Sequence, residues 1–341
     1  MITNKLKNLL LFLIMCGCFL LFFTNTRVIT DVITDTLKFC VNNLIPSIFP
    51  FMVLTAVFSQ INFKIDRNRA FLGINNDLFK VIAFSWLSGF IVGPKQLSRC
   101  VEDSDITSYA LLSSNAGIGF VISYIGLTLW DNIIFGIFLF FVQISTSIAI
   151  FNLSKKKNKF FNVKSKNIPV LSAISDSILQ STNSMLSICG FTVFFVVVKQ
   201  LICSVMKIHT DGCVYTTISV LTEISSGALA SVHNKSNLIS GFFSGFCIGF
   251  GGICMCMQTF AVCENNYINR VEFVIKKLIQ GVICGIFCAI YVMANNLEPS
   301  KNVYLSFSED YCLNTIIINT VFFFTILLII KNYLKKKLIS I

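Results

Sequence analysis

The sequence predicts an all-α polytopic membrane protein, with about eight transmembrane helices, two re-entrant glycine-broken segments and a two-fold internal repeat. Three observations carry that expectation. Of 341 residues, 55% are hydrophobic and only 13% are charged, against about 45–50% and 25% in an ordinary soluble domain. Mean hydropathy is +0.78. Apolar runs of about 20 residues, enough to cross a bilayer, recur along the chain between short polar stretches. Too few polar residues remain to clothe a soluble globule, which excludes a soluble enzyme, a disordered chain and a nucleic-acid-binding domain. The lipid bilayer is the expected partner.

The elements follow in order. An N-terminal segment, 1–30, holds the first span at about 6–24. Lys5 and Lys7 precede an apolar run, and Phe22-Phe23-Thr24-Asn25 is a poor cleavage site, so an uncleaved span is expected. A first half, 40–151, contains spans at about 44–60, 108–129 and 133–151, with a re-entrant stretch at 80–94. The loop 152–173 carries six lysines between Lys155 and Lys166. A second half, 174–295, contains spans at about 174–198, 214–232 and 273–294, with a re-entrant stretch at 237–262. Segment 313–341 supplies a last span, 313–330, and a basic tail.

Charge placement orients these elements. The net charge of +11 does not imply nucleic acid, because the basic residues lie in short loops, as the positive-inside rule expects. The N-terminus, the loop with Lys64, Arg67 and Arg69, the six-lysine loop and the tail with Lys331, Lys335, Lys336 and Lys337 are expected on the cytoplasmic side. The loop with Glu298, Glu309 and Asp310 is expected outside. This arrangement gives both re-entrant segments one orientation. Asn43–Phe51 echoes Asn183–Phe191, and Gly89-Phe90 with Gln96 echoes Gly249-Phe250 with Gln258. Repeats with broken segments in matching positions are characteristic of secondary transporters.

Non-helical backbone at membrane depth is tolerated only where protein or a water-filled cavity surrounds it, so the breaks point to the working part. Gly89-Phe-Ile-Val-Gly93-Pro94-Lys95-Gln96 is the first; there Gly93 and Pro94 free backbone groups, and Lys95 either neutralises an anion or snorkels. Ser113-Ser114-Asn115-Ala-Gly117-Ile-Gly119 is the second, read either as a polar binding break or as small-residue helix packing. Glu223 interrupts an apolar run beside Ser225; it carries a coupling proton or cation, or is a structural group bonded to serines. Gly249-Phe-Gly251-Gly252 is the third break and ends near Gln258. Asn269 with Glu272 reads as a capping box.

The 14 cysteines lie largely inside apolar segments and read as buried free thiols. With only His209 and His233 available, no metal site is expected. There is no nucleophile–base–acid set and no ATP-binding motif, so the chain is read as a non-enzyme without a cofactor.

At these residues the chain resembles the YlbJ family of sporulation integral membrane proteins, which carries a nucleoside-recognition, or Gate, type of membrane domain. The matching stretches are Asn43–Leu54, Gly89–Lys95, Ser114–Phe120, Thr222–Gly227 and Gly249–Gly252 with Gln258. They occur in the family's order over roughly residues 40–295. The family's first break usually reads Gly-Tyr-Pro-Val-Gly-Ala-Lys, whereas Ile91 and Pro94 stand here in its proline and alanine positions. The resemblance implies a role in endospore formation and, by analogy with relatives, transport of dipicolinic acid from mother cell toward forespore.

The resulting expectation is a transporter in the bacterial cell membrane for a small anionic metabolite; the resemblance implies the mother-cell-derived forespore membrane. Gly93, Lys95, Gln96, Ser114, Asn115, Gly251, Gly252 and Gln258 are expected at the substrate. Glu223 and Ser225 are expected to couple a cation or to stabilise the fold. The alternatives are a non-transporting scaffold of a spore-maturation complex and a nucleoside-type permease.

Overall fold

A computed structural model describes residues 26–60, 76–100, 105–154, 170–208, 212–263 and 268–300. The expected spans 6–24 and 313–330 lie outside the described residues. Every regular element among the described residues is helical. Among the described residues five helical stretches are long and apolar enough to cross a membrane: Thr26–Phe58, Ile133–Leu153, Leu171–Ser204, Asn237–Val262 and Arg270–Ala294.

The chain opens on a long rod of α1 (Thr26–Phe39), a π-helical turn at Cys40–Leu44 and α2 (Ile45–Gln60). Sequence analysis starts this span at 44, because Asp31, Asp35 and four threonines make α1 polar; α1 is nevertheless helical and continuous with α2. Pro46 and Pro50 each remove a donor from the ladder just after the widened turn.

Next, α3 (Asn76–Ser88) and α4 (Val92–Cys100) form a hairpin. Its turn is made by Gly89, at φ 100°, a value that L side chains rarely adopt. The two legs are so close that a Cβ on Gly93 would lie 2.3 Å from Ser85 Cβ. The re-entrant expectation for 80–94 therefore finds a folded-back pair of helices. The role given to Gly93 and Pro94 is corrected: both lie in the first turn of α4, where proline's missing N–H has no intrahelical partner to lose.

An interrupted helix follows. α5 (Thr107–Ser113) ends in an unwound stretch at 114–117, after which a π-helical stretch, Phe120–Leu129, continues in the same direction. It lies antiparallel to α6 (Ile133–Leu153), pairing Tyr109 with Phe151 and Gly126 with Gly136.

The second half repeats this order. A long rod, α7 (Val170–Val205), precedes α8 (Cys213–Thr222) and α9 (Ile224–Ser231), which are separated only by Glu223. These fold back on each other: Thr216 Oγ1 donates to Ala230 O at 3.2 Å, and a Cβ on Gly227 would meet Val220 Cα at 2.7 Å. The expectation of a single span at 214–232 is thus corrected to a second hairpin. α10 (Asn237–Phe250) and α11 (Gly252–Val262) run on through Gly251 and Gly252, at φ 80° and 79°. Both pack antiparallel to α12 (Arg270–Ala294), from Gly241 against Val292 to Phe260 against Phe273. The 237–262 stretch, expected to be re-entrant, is an interrupted full-length helix. A glycine run signals a break in either case; only tertiary packing decides whether the chain turns back.

Both halves therefore read long rod, hairpin, interrupted helix, straight helix. In this register the Asn43 and Asn183 stretches fall on matching rods. The second sequence echo does not match, because it pairs a hairpin with an interrupted helix. The core joins the halves: Leu78, Ile82, Leu97, Leu111 and Phe151 cluster with Phe250, Cys256 and Phe273. Asn269 caps α12 by accepting from Glu272 N at 3.2 Å.

Small residues set the helix spacing. A Cβ on Gly245 would lie 2.5 Å from Cys284 O, whereas one on Gly190 meets nothing within 4 Å. Gly245→Val is expected to lower the stability of the purified protein by about 1–3 kcal/mol through overpacking. Gly190→Ala is expected to raise it by up to about 1 kcal/mol. Thermal unfolding in detergent reads both changes.

Candidate functional site

The two hairpin tips and the two helix interruptions meet. The tip of the first hairpin packs on the first interruption: a Cβ on Gly89 would lie 3.2 Å from Gly117 N, and Trp86 Nε1 donates to Leu112 O at 2.8 Å. The tip of the second hairpin packs on the second interruption, with a Cβ on Gly252 reaching Thr222 O at 2.8 Å and Glu223 N at 2.9 Å. Between them lies a cavity of about 50 Å³, room for roughly three to five waters. Its walls come from Ser88–Val92, from Ala116, Gly117 and Phe120, from Glu223–Ser225, and from Gly251, Cys254, Met255 and Gln258. The two long rods close it with Leu44, Ile48, Met52, Ile188 and Thr192.

Each break is stabilised differently. At the second hairpin, Glu223 is the N-cap of α9, and its carboxylate accepts from Ser225 N and Ser226 N, both at 2.8 Å. It is 1% exposed. Amide donors at a helix N-terminus are the right counterpart for a carboxylate, so the partners are backbone groups of the serines. Glu223 is also the only carboxylate on the cavity wall among the described residues.

At the first interruption, one glutamine replaces the missing ladder. Ala116 N donates to Gln143 Oε1 at 3.1 Å, and Gln143 Nε2 donates to Ala116 O at 2.8 Å. Gln280 Nε2 donates to Asn115 Oδ1 and to Gln143 O, both at 2.9 Å. Lys277 Nζ donates to Ser114 O at 2.7 Å and to Gln280 Oε1 at 2.9 Å, and lies 5.7 Å from the centre of the Phe90 ring. The carbonyl end of α5 is a favourable place for a cation. Lys277, Gln280, Gln143 and Asn115 are all 0% exposed.

The expected site residues divide accordingly. Glu223, Ser225, Gly251 and Gln258 line the cavity, and Gly252 abuts the tip of the second hairpin. Ser114 and Asn115 are buried in the network behind it. Gly93 sits between the hairpin legs and the first interruption. Lys95 is half-buried and turned to the rod α7, where its Nζ donates to Ser184 Oγ at 2.6 Å. Gln96 is 9% exposed and, like Gly93 and Lys95, is not part of the wall.

Sequence reasoning missed Gln143, Lys277 and Gln280. Their signal is helical spacing: Lys277, Gln280 and Cys284 share one face of α12, as Gln143 and Ser147 share one face of α6. Lys277 was concealed by Lys276, an ordinary helix-end cation paired with Glu272. The described cysteines are free thiols.

No protein-family model, curated protein or solved structure matches this chain. The reading of the site therefore rests on its geometry.

Removing either anchor has a predictable cost. Gln143→Leu leaves both backbone groups of Ala116 buried and unpaired, and is expected to lower stability by about 1–3 kcal/mol per lost partner. Glu223→Ala strips the cap of α9, at about 0.5–2 kcal/mol. Chemical unfolding of the protein in mixed micelles measures both.

Proposed function

We propose that the chain is a membrane transporter whose solute site is the cavity between the four helix breaks. The observation that supports this most strongly is their convergence. Unwound backbone inside apolar surroundings is expected only where protein or a water-filled cavity receives it, and here four breaks from two similarly ordered halves face one cavity beside a buried carboxylate. A scaffold has no use for such an arrangement.

In this reading each half crosses the membrane three times, because its hairpin returns to the side it came from. An odd number of crossings inverts the second half relative to the first. The hairpins then enter from opposite faces, not from the same face as the charge placement first implied. With the expected spans at 6–24 and 313–330, the chain has eight crossings. All of its lysine-rich segments fall on one side and the Glu298 loop on the other, in agreement with the positive-inside rule.

The substrate class follows the resemblance to sporulation membrane proteins: a small anionic metabolite, with dipicolinate as the first candidate and the mother-cell-derived forespore membrane as the location. The cavity is too small for a planar dicarboxylate, so one hairpin must move to admit solute. An anion beside Glu223 requires a proton or cation to accompany it. Protonation of Glu223 removes an acceptor from the Ser225 and Ser226 amides, which links the charge of the cavity to the hold on the hairpin tip.

Uptake of radiolabelled dipicolinate into reconstituted vesicles under an imposed pH gradient tests this. The wild-type chain is expected to accumulate it. Glu223→Gln is expected to lose the stimulation by the gradient and to keep exchange of internal for external solute. Absence of uptake and exchange under any gradient rejects transport and favours the scaffold. Topology has its own check: a membrane-impermeant thiol reagent should modify a cysteine placed at Lys235 from outside and one placed at Lys157 only from the cytoplasm.

A further inference from the structure

Among the described residues the wall of the cavity carries an acid and no cation, although the proposed solute is an anion. The nearest layer behind the wall supplies one. We propose that the Lys277 ammonium, screened from the cavity by the Phe90 ring, is the binding point for a carboxylate group of the solute. This inference rests on the transport reading for its setting and adds to it a residue and a ligand chemistry.

Four observations converge on it. First, Lys277 is 0% exposed within an apolar helix, and a cation so placed is costly unless it is paired or put to use. Second, none of the ion pairs formed among the described residues involves Lys277. Third, its donors are only partly committed to oxygen. An ammonium has three N–H groups; one is directed at Ser114 O and one at Gln280 Oε1, both uncharged. The Phe90 ring also lies near the ammonium, 5.7 Å away at the ring centre. A ring face is a weaker partner for an ammonium than a carboxylate.

Fourth, Phe90 is shared by that cation and the cavity, and it stands in a turn. It lines the cavity, follows Gly89 at φ 100°, and belongs to the turn between α3 and α4, outside either helix. The edge of its ring lies 3.2 Å from where a Cβ of Gly251 would be, so the glycine at the second interruption leaves space for the ring. Displacement of the first hairpin's tip carries Phe90 away from Lys277 and opens the ammonium's third donor to the cavity. The Ser114 carbonyl and the Gln280 amide keep the cation in place meanwhile. The positive charge thus stays behind the wall, and an arriving carboxylate takes the place of the ring.

The test is ligand-dependent thermal stabilisation of the purified full-length protein, comparing dipicolinate with its uncharged diamide, pyridine-2,6-dicarboxamide. Wild type should be stabilised saturably by dipicolinate, and by the diamide only at concentrations at least about tenfold higher, the size expected for loss of one charge-assisted hydrogen bond. Lys277→Met should weaken dipicolinate by a similar factor, and Lys277→Arg should largely retain it. Phe90→Ala, which removes the ring without touching the cation, should tighten dipicolinate several-fold relative to any change in the diamide. If Lys277→Met does not fold, Lys277→Arg and Phe90→Ala carry the comparison. The proposal is overturned by wild-type protein that binds neither compound or both equally. It is also overturned by Lys277→Met binding dipicolinate as wild type does, or by Phe90→Ala failing to separate the two ligands. Charge-selective binding without vesicle uptake would retire the transport reading and leave this one standing; uptake with unaltered Lys277→Met binding would do the reverse.

Discussion

Peptide groups released from a helix inside apolar surroundings must find other partners, and that constraint governs the centre of this protein. Each unpaired group in such surroundings costs several kcal/mol. At the first interruption the cost is met by one side chain, Gln143, which binds both the N–H and the C=O of Ala116. At the second hairpin it is met by Glu223, which takes two amides. The first interruption persists because neighbouring helices carry the complementary groups at the right height. Those groups are Gln143 on α6 and Lys277 and Gln280 on α12, the straight members of each half.

The straight helices can serve in this way only because they lie close to what they support. Gly126 against Gly136 in the first half, and Gly241, Gly245 and Gly249 along α12 in the second, hold backbone against backbone. A glutamine side chain is short; at ordinary helix spacing Gln143 and Gln280 would not reach an interrupted backbone. The small residues and the buried amides are two parts of one device, the first setting a distance and the second using it. Contact between the halves depends on the same device, since Gln280 bonds to Asn115 and to the Gln143 carbonyl, and Thr146 meets Cys284 at 3.2 Å.

How much of this was legible in the sequence follows from what each signal reports. Apolar length marked out most of the long helices, and glycine clusters marked Gly89 and Gly251–Gly252 as breaks, because both are local properties. Whether a broken segment folds back or runs on is not local. The hairpin at Glu223 contains a single glycine, Gly227, and hydropathy makes it resemble one span; its fold-back depends on Thr216, Val220 and Gly227 meeting across the turn. The site was half legible for the same reason. Glu223, Ser225, Gly251 and Gln258 stand out as polar or glycine interruptions within their own segments. Gln143, Lys277 and Gln280 act on a backbone far from them in sequence, and Lys95 was misread because its partner, Ser184, lies on a rod of the other half.

The two halves share an order of elements but not a chemistry, and the difference has a consequence. The second tip is anchored by charge-assisted bonds from Glu223 to the N-terminus of its own helix, so it keeps its local shape as long as the carboxylate remains. The first tip has no such anchor: Gly89 rests on Gly117, and Phe90 rests on Gly251 and over Lys277. Of the contacts that hold it, that between the ammonium and the ring is the one an anion can replace with something stronger. In the proposed transport function an acidic tip and an aromatic tip answer to different ligands, a proton or cation at one and an anion at the other. In that proposal a cavity closed by both opens on one side in response to each, an asymmetry that an exactly repeated pair of halves could not provide.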